Sequence, residues 1–341
     1  MRALIAMSGG VDSSVAALLA MEQGLECIGS TMHLHDTTSA ADAASVAHRL
    51  GIPFYEFDCT ELFRSHVKDY FVRCYEEGGT PNPCIECNRH LKFGHLQKIA
   101  QDMGCDYVVT GHYAQIQQDP STGRYLLKKA VDVAKDQSYF LCRLTPDQLA
   151  HTLFPLGGLT KPEARAIAEE NGFINAKKRD SQDICFVPDG DYMAFLQQYT
   201  GKSYPSGDFL DEQGCAVGKH RGAVAYTIGQ RKGLGLALGQ PIYVCRKNMI
   251  DNTVTVGPNE SLFQRELLAD DWNWISIDQP QAPLRCKAKA RSRMVEQDAT
   301  LYPMNNGIFK VVFDEPQRAI TPGQSVVLYD GDVVIGGGTI L

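Results

Sequence analysis

Through the first half of the chain, short apolar runs alternate with longer segments of mixed polarity. Ala3–Met7, Cys27–Leu34, Pro53–Asp58 and Asp106–Thr110 read as strands, and Ser13–Met21, Ala40–Leu50, Glu61–Tyr75 and Arg89–Met103 have helical length. Gly24, Gly51, Gly78 and Gly104 follow those segments as helix stops. The alternation predicts an α/β domain, a parallel sheet wrapped by helices, over residues 1–186. Pro155, Gly157, Gly158 and Pro162 break the rhythm; one more helix is expected over Pro162–Asn171 and a loop over Asn175–Ile184. A small mixed domain is expected over residues 187–257. Beyond Pro258 the runs Cys286–Arg293, Phe309–Phe313, Ser325–Tyr329 and Val333–Ile335 are short, β-branched and separated by Pro, Gly, Asp or Asn. They predict a C-terminal β barrel over residues 258–341.

A length of 341 residues agrees with two or three domains, and 44% hydrophobic with 21% charged residues is a globular composition. No apolar run approaches the ~18 residues of a membrane span. The N-terminal apolar stretch stops at Ser8-Gly9-Gly10 without a cleavage site, so a soluble, unexported, cytoplasmic protein with no membrane partner is expected. Eleven cysteines, an odd number without a secretory signal, point to reduced thiols rather than a disulfide framework. A net charge of −7 excludes a protein that coats nucleic acid through its overall charge and leaves a local basic patch open.

Ser8-Gly9-Gly10-Val11-Asp12-Ser13 follows the first strand and opens the first helix, where backbone N–H groups and a helix N-terminus meet an anion. It lacks the lysine of a GxxxxGK[ST] loop and the spacing of GxGxxG. A lone Gly-Gly there is equally a tight turn. The whole string, however, resembles the PP-loop of the N-type ATP pyrophosphatases, which cleave ATP between the α and β phosphates. That resemblance implies ATP on the segment Ala6-Met7-Ser8-Gly9-Gly10-Val11-Asp12-Ser13, Asp12 on an exposed turn holding Mg²⁺, and Met32 against adenine. Met32 as core filler is the alternative.

Thr80-Pro81-Asn82-Pro83-Cys84-Ile85-Glu86-Cys87-Asn88 places two cysteines just before a helical stretch, where the helix N-terminus is expected to lower a thiol pKa. The rival reading is half of a zinc site, for which the chain shows no second CxxC and no HxxxH. A further cysteine, Cys185, follows the basic run Lys177-Lys178-Arg179 and on its own reads as a small buried hydrophobe. Arg285, Lys287, Lys289, Arg291 and Arg293 alternate with small residues; in one strand they would form a basic face spaced to follow phosphates, or a solvated edge protected by charge.

In order along the chain, SGGVDS, GGTPNP with Cys87-Asn88, Thr110-Gly111-His112-Tyr113-Ala114, Lys135-Asp136-Gln137-Ser138-Tyr139, Ser181-Gln182-Asp183-Ile184-Cys185-Phe186 and Thr227-Ile228-Gly229-Gln230-Arg231-Lys232-Gly233-Leu234-Gly235 make the sequence resemble the bacterial-type tRNA-specific 2-thiouridylases over almost its whole length. The resemblance implies ATP-dependent 2-thiolation of a wobble uridine in the anticodon loop of Lys, Glu or Gln tRNA, with a persulfide-bearing donor protein as partner. It implies Cys87 as nucleophile and Cys185 as persulfide carrier, Asn82, Pro83 and position 84 beside the target base, and Gly111 near ATP. It also implies tRNA contacts at His112, Lys135-Asp136-Gln137, Arg291-Ser292 and Gln324, with a buried, satisfied His112 as the alternative. The sequence departs from the family pattern at position 84, where aspartate is expected and cysteine stands. Three thiols, Cys84, Cys87 and Cys185, then match the ligand count of a [4Fe–4S] cluster with one free iron, as an alternative to a persulfide relay. A disulfide from Cys84 to Cys87 or Cys185 under oxidation is another. Two rival functions remain: another PP-loop adenylating ligase acting on a small molecule, and a zinc-stabilised RNA-binding protein built around Cys84 and Cys87.

Overall fold

β1 (Arg2–Ala6) lies at the centre of the N-terminal sheet because its middle is wholly apolar, with Ala3, Leu4 and Ile5 buried between helices on both faces. The computed structural model describes residues 1–35, 40–176, 178 and 184–341. After β1 come α1 (Val11–Glu22), β2 (Glu26–His33), α2 (Ala41–Leu50) and β3 (Phe54–Asp58). Two interrupted rods follow. In the first, α3 (Thr60–Phe63) and α4 (Asp69–Glu76) flank a π-helical stretch, Arg64–Lys68; in the second, α5 (Pro83–Glu86) and α6 (Leu96–Asp102) flank a longer one, Cys87–His95. Then come β4 (Tyr107–Val109), a hairpin of β5 (Gln115–Gln118) and β6 (Tyr125–Lys128), α7 (Pro146–Ala150), β7 (Thr152–Leu153) and α8 (Lys161–Glu170).

The first sheet has the order β3-β2-β1-β4-β7, all parallel, as the alternation predicts. Chain order reverses at β1, so the crevice beyond the carboxyl ends of β1 and β4 is where such sheets take ligands. Helices α1, α2 and α8 cover one face through Val15, Ala16, Val46 and Ala164, and α6 covers the other through Leu96 and Ala100.

The central domain contains α9 (Tyr192–Thr200) and the strands β8 (Gly207–Leu210), β9 (Ala216–His220), β10 (Tyr243–Asn248) and β11 (Thr253–Gly257), ordered β10-β11-β8-β9. It shares a core with the first rod, where Phe63, Phe71 and Tyr75 meet Phe209, Val224 and Val254. The C-terminal strands are β12 (Phe263–Trp274), β13 (Leu284–Lys289), β14 (Gln297–Pro303), β15 (Phe309–Arg318), β16 (Ser325–Asp330) and β17 (Val333–Ile340). They run β12-β15-β14-β13-β16-β17 and close because β12 also pairs with β17, Ala269 opposite Ile340 and Trp274 opposite Gly336. The hairpin β5–β6, which the sequence pattern does not announce, joins the barrel at Val333 opposite Lys128 and ties it to the N-terminal domain. Among the described residues no helix is long and apolar enough to cross a membrane.

Candidate functional site

Met7, Ser8, Gly9 and Gly10 carry the chain from β1 into α1. Gly9 holds φ +71°, and a Cβ there would stand 3.1 Å from the Asp42 Cβ, so the turn requires glycine. Gly10 caps α1 with no side chain, which leaves the helix's first N–H groups for an incoming anion. Ser13 Oγ accepts from the Ser8 N–H at 3.2 Å and donates to the Gly10 carbonyl at 3.0 Å. Asn175 donates to the Gly9 carbonyl at 3.1 Å and to Ser14 Oγ at 2.9 Å, and its own Oδ1 is buried without a partner. Across the crevice, Gly111 follows β4 and touches the start of α1: a Cβ on it would lie 2.6 Å from the Asp12 carbonyl carbon. A glycine-lined turn, two serines and an uncapped helix N-terminus form a cradle that fits a phosphate group. Val11 is buried beneath it, and Ala6 ends β1 beside it. Met32 is half-buried and packed against the cores on both sides, beside Phe57.

Asp12 is not the free carboxylate of an exposed turn. Lys161 Nζ sits 2.7 and 2.8 Å from its two oxygens, and the Tyr113 hydroxyl donates to it at 2.9 Å. Lys161 is only 7% exposed, so a metal at Asp12 competes with a buried ammonium. Among the described residues no group of three or more His, Cys, Asp or Glu is arranged to hold a metal.

The thiols lie on the second rod. Asn82 is the cap residue, and Pro83, which has no N–H to satisfy, opens the helix. Cys84 stands exposed in the first turn, whereas Cys87 falls beyond it, inside the rod, and is buried. Burial pushes the Cys87 thiol up to about 11, with Cys185, Cys84 and Cys59 adding to the rise and Lys92 opposing it. Desolvation likewise raises Cys84 and Cys185. Desolvation thus opposes the lowering expected from the helix N-terminus, whose partial charge fades within one turn. Lys92 pulls all three thiols down. It stands five residues after Cys87 in the π-helical stretch, whose i→i+5 bonding stacks those positions.

Cys185 reaches Cys87 through its neighbour. Phe186 packs edge-on against Phe63 at 5.6 Å and Phe71 at 5.1 Å, in the core that also contains Cys87. All eleven cysteines are free thiols in this structure. Lys177, Arg179 and the Asp180, Ser181, Gln182 and Asp183 of the motif before Cys185 lie outside the described residues. The rod itself is pinned to neighbouring elements: Asn88 donates to the Phe140 carbonyl at 3.0 Å, and Arg89 grips Asp271 of β12 at 2.7 and 3.2 Å. Asp271 sits at φ +43° with the buried Arg143 guanidinium 3.5 Å away.

Of the residues expected to touch RNA, His112 is buried and the others are partly exposed. His112 is 9% exposed, 2.7 Å from Thr110 Oγ1 and between the rings of Phe93 and Phe154. Burial holds its pKa well below the usual range, the condition of a neutral, satisfied histidine. Asp136 accepts from the Ala130 and Ser138 N–H groups and Gln137 from the Tyr113 N–H, with Lys135 half-buried beside them. Gln324 donates to the Thr80 carbonyl at 2.8 Å. The basic strand is a correction: β13 ends at Lys289, and the Met294 N–H bonds back to the Arg291 carbonyl at 3.1 Å, so Arg291, Ser292 and Arg293 lie in a turn. Arg285 pairs with Asp314, Lys287 approaches Asp298 at 3.9 Å, and Arg291 is half-buried, donating to the Ile228 carbonyl at 3.0 Å and to Thr321 Oγ1.

Three family models match successive segments: the tRNA methyl transferase HUP domain over residues 1–189, the tRNA methyl transferase PRC-barrel domain over 193–258, and the aminomethyltransferase beta-barrel domain over 264–340. The tRNA-specific 2-thiouridylase MnmA of Clostridioides difficile is 50% identical, covering 99% of this chain and 98% of its own. The enzyme of the same name from Acetivibrio thermocellus is 49% identical, covering 99% of each chain. The chain belongs to the tRNA-specific 2-thiouridylase family. A solved 4-thiouridine synthetase–RNA complex with bound ATP overlaps 59% of this chain and 50% of its own at 19% identity and a TM-score of 0.36, too loose a likeness to argue from.

Three residues of the candidate site escape a reading of the sequence. Lys161 carries a faint signal, since a lysine at the start of a helix opposes the helix dipole and calls for a local anion. Lys92 and Asp271 carry none, because their roles depend on a π-helical register and on a contact between the second rod and the barrel.

Proposed function

We propose that this chain thiolates C2 of the wobble uridine of a tRNA, consuming ATP. What carries the reading is the pairing of a phosphate cradle at Ser8–Ser13 with thiols from two distant segments, Cys87 and Cys185, which one core holding Cys87, Ile184 and Phe186 brings together. The uracil C2 oxygen is a poor leaving group. Its attack on the α-phosphate of ATP forms a C2–O–AMP bond and releases pyrophosphate, with the Gly9–Gly10 turn, the N-terminus of α1 and solution Mg²⁺ stabilising the phosphates. Sulfur then replaces AMP at C2. It comes from a Cys185 persulfide supplied by a donor protein: either the terminal sulfur attacks C2 and expels AMP, after which Cys87 attacks Cys185 Sγ and releases the thiouridine, or Cys87 attacks Cys185 Sγ first and frees sulfide, which attacks C2 and expels AMP. Both routes leave a Cys87–Cys185 disulfide that an external thiol reduces.

The protonated resting state of Cys87 suits this chemistry, because a thiol held up near 11 resists oxidation until its sulfur partner arrives. Cys84 stands where an acid–base carboxylate is expected, so proton transfer at the uracil falls to another group or to water. A methyl-transfer reading, which the family-model descriptions name, gives neither the cradle nor the paired thiols a role, and a small-molecule ligase needs no paired thiols. The anticodon loop is the RNA target favoured by the chemistry, since its bases splay out of the stack into a pocket. Mass spectrometry of bulk tRNA from cells lacking this gene tests the reading: loss of a wobble 2-thiouridine supports it, and an unchanged nucleoside profile refutes it.

A further inference from the structure

The segment Gly78–Pro81 leads into Asn82, Pro83 and Cys84, and neighbouring elements hold it from two sides. From the barrel, the Pro322 carbonyl accepts the Thr80 N–H at 2.8 Å, and Gln324 Nε2 donates to the Thr80 carbonyl at 2.8 Å and to the Pro81 carbonyl at 3.3 Å. Tyr70, on the first rod, donates its hydroxyl to the Gly323 carbonyl at 3.3 Å. From the central domain, Lys247 reaches the Gly79 carbonyl at 3.4 Å. There is no slack: a Cβ on Gly79 would stand 2.7 Å from Cys74 Sγ and 3.0 Å from the Pro322 carbonyl oxygen.

Two prolines explain why outside help is needed. Pro81 and Pro83 have no N–H, so the segment offers carbonyls that neither a helix nor a sheet ladder of its own can satisfy. Thr80 does not do it locally, since its hydroxyl is buried without a partner. The donor is the side-chain amide of Gln324, the first residue after the barrel turn Thr321–Gly323 and just before β16. The same turn meets Arg291, whose guanidinium bridges Thr321 and the Ile228 carbonyl of the central domain. Barrel, central domain and active-site loop therefore meet at one junction.

We propose that the barrel turn Thr321–Gln324 sets the position of the active-site loop, with Gln324 as a positioning residue that holds the Thr80 and Pro81 carbonyls and so aims Asn82, Pro83 and Cys84. Its effect on turnover rests on the thiolation reading; its effect on the loop does not. The test uses the full chain with Gln324→Met, which keeps the side chain's length and removes the donor, and Gln324→Glu, which sets a carboxylate against two carbonyls. Without ATP or RNA, hydrogen exchange over residues 78–82 should speed up, and the rate at which iodoacetamide alkylates Cys84 should change about fivefold in Gln324→Met, as expected for one lost hydrogen bond, and by more in Gln324→Glu. With tRNA present, kcat should fall by a similar factor while the tRNA Kd stays within about twofold, because the lost contact is internal. Unchanged exchange and alkylation together with weakened tRNA binding would make Gln324 an RNA contact alone and overturn the proposal. Since the first two readouts need neither ATP nor tRNA, an enzyme that fails to thiolate leaves them decisive.

Discussion

Lys161 and Asp12 come from opposite ends of the N-terminal domain and meet at 2.7 Å, locking the helix that opens the phosphate cradle to the start of α8. Lys161 is held in place by its own cap: Thr160 and Glu163 form a reciprocal capping box, and the Lys161 N–H donates to Asp132 at 3.0 Å.

Breaking that pair has two consequences. Lys161→Met removes the charge partner of a half-buried carboxylate and should destabilise the fold by about 2 kcal/mol, less than for a fully buried pair because Asp12 keeps some water and the Tyr113 hydroxyl. Asp12→Ala removes the carboxylate that both Lys161 and Tyr113 bond and should cost a similar amount. Urea unfolding of both variants and of the double variant measures the coupling; independent, additive effects would show that the two residues do not act as a pair.

The Cys87 thiol should be slow to react at neutral pH. Its alkylation rate should climb about tenfold per pH unit and level off only near the thiol's pKa of about 11. Since Lys92 lowers that pKa, Lys92→Met should push the profile to higher pH. The sign for stability follows: a pKa raised from 9.0 means the folded protein holds this proton more tightly, so the contribution is complete below pH 9.0 and is lost as the pH rises towards 11. A profile centred at or below the ordinary thiol value would contradict the burial of Cys87.

Phe186 should matter to sulfur transfer although it has no chemistry of its own. Removing its ring from between Phe63 and Phe71 should cost about 3 kcal/mol and loosen the backbone that carries Cys185. Phe186→Ala is then expected to slow thiolation while tRNA-dependent ATP–pyrophosphate exchange continues; equal loss of both activities would assign Phe186 to general stability.

How much of this is legible in the sequence depends on how local each feature is. The parallel strands and the Ser8–Ser13 turn are contiguous, so their period and glycines announce them. Cys87 and Cys185 needed the family resemblance, because the two segments come together through tertiary packing, in a core that holds Cys87, Ile184, Phe186 and Val187. The basic strand was misread for two physical reasons: alternation cannot reveal that the chain turns at Arg291, and it cannot see the acidic residues Asp298 and Asp314 across the sheet. The π-helical stretches leave no periodic trace either, since their flanks read as ordinary helix.

The corrected charges redirect the RNA prediction. Arg285 is already neutralised by Asp314, so Arg285→Ala should leave the salt dependence of tRNA binding unchanged. Of the five alternating basic residues, the exposed Arg293 and the Lys289 at the strand end have no carboxylate partner among the described residues, and reversing each to glutamate should flatten the salt slope by about one unit per lost contact. Equal effects at all three positions would restore the picture of a continuous basic face.

The most direct test of the account is reconstitution: the purified chain, loaded with persulfide by a donor, is mixed with ATP, Mg²⁺ and unmodified tRNA, and 2-thiouridine and AMP are quantified together. Equal amounts of AMP and 2-thiouridine are expected, with 2-thiouridine absent in Cys87→Ser and Cys185→Ser although both variants still bind tRNA. Thiolation at the normal rate by either variant, or thiolation without ATP, would contradict the coupling of one phosphate cradle to two thiols.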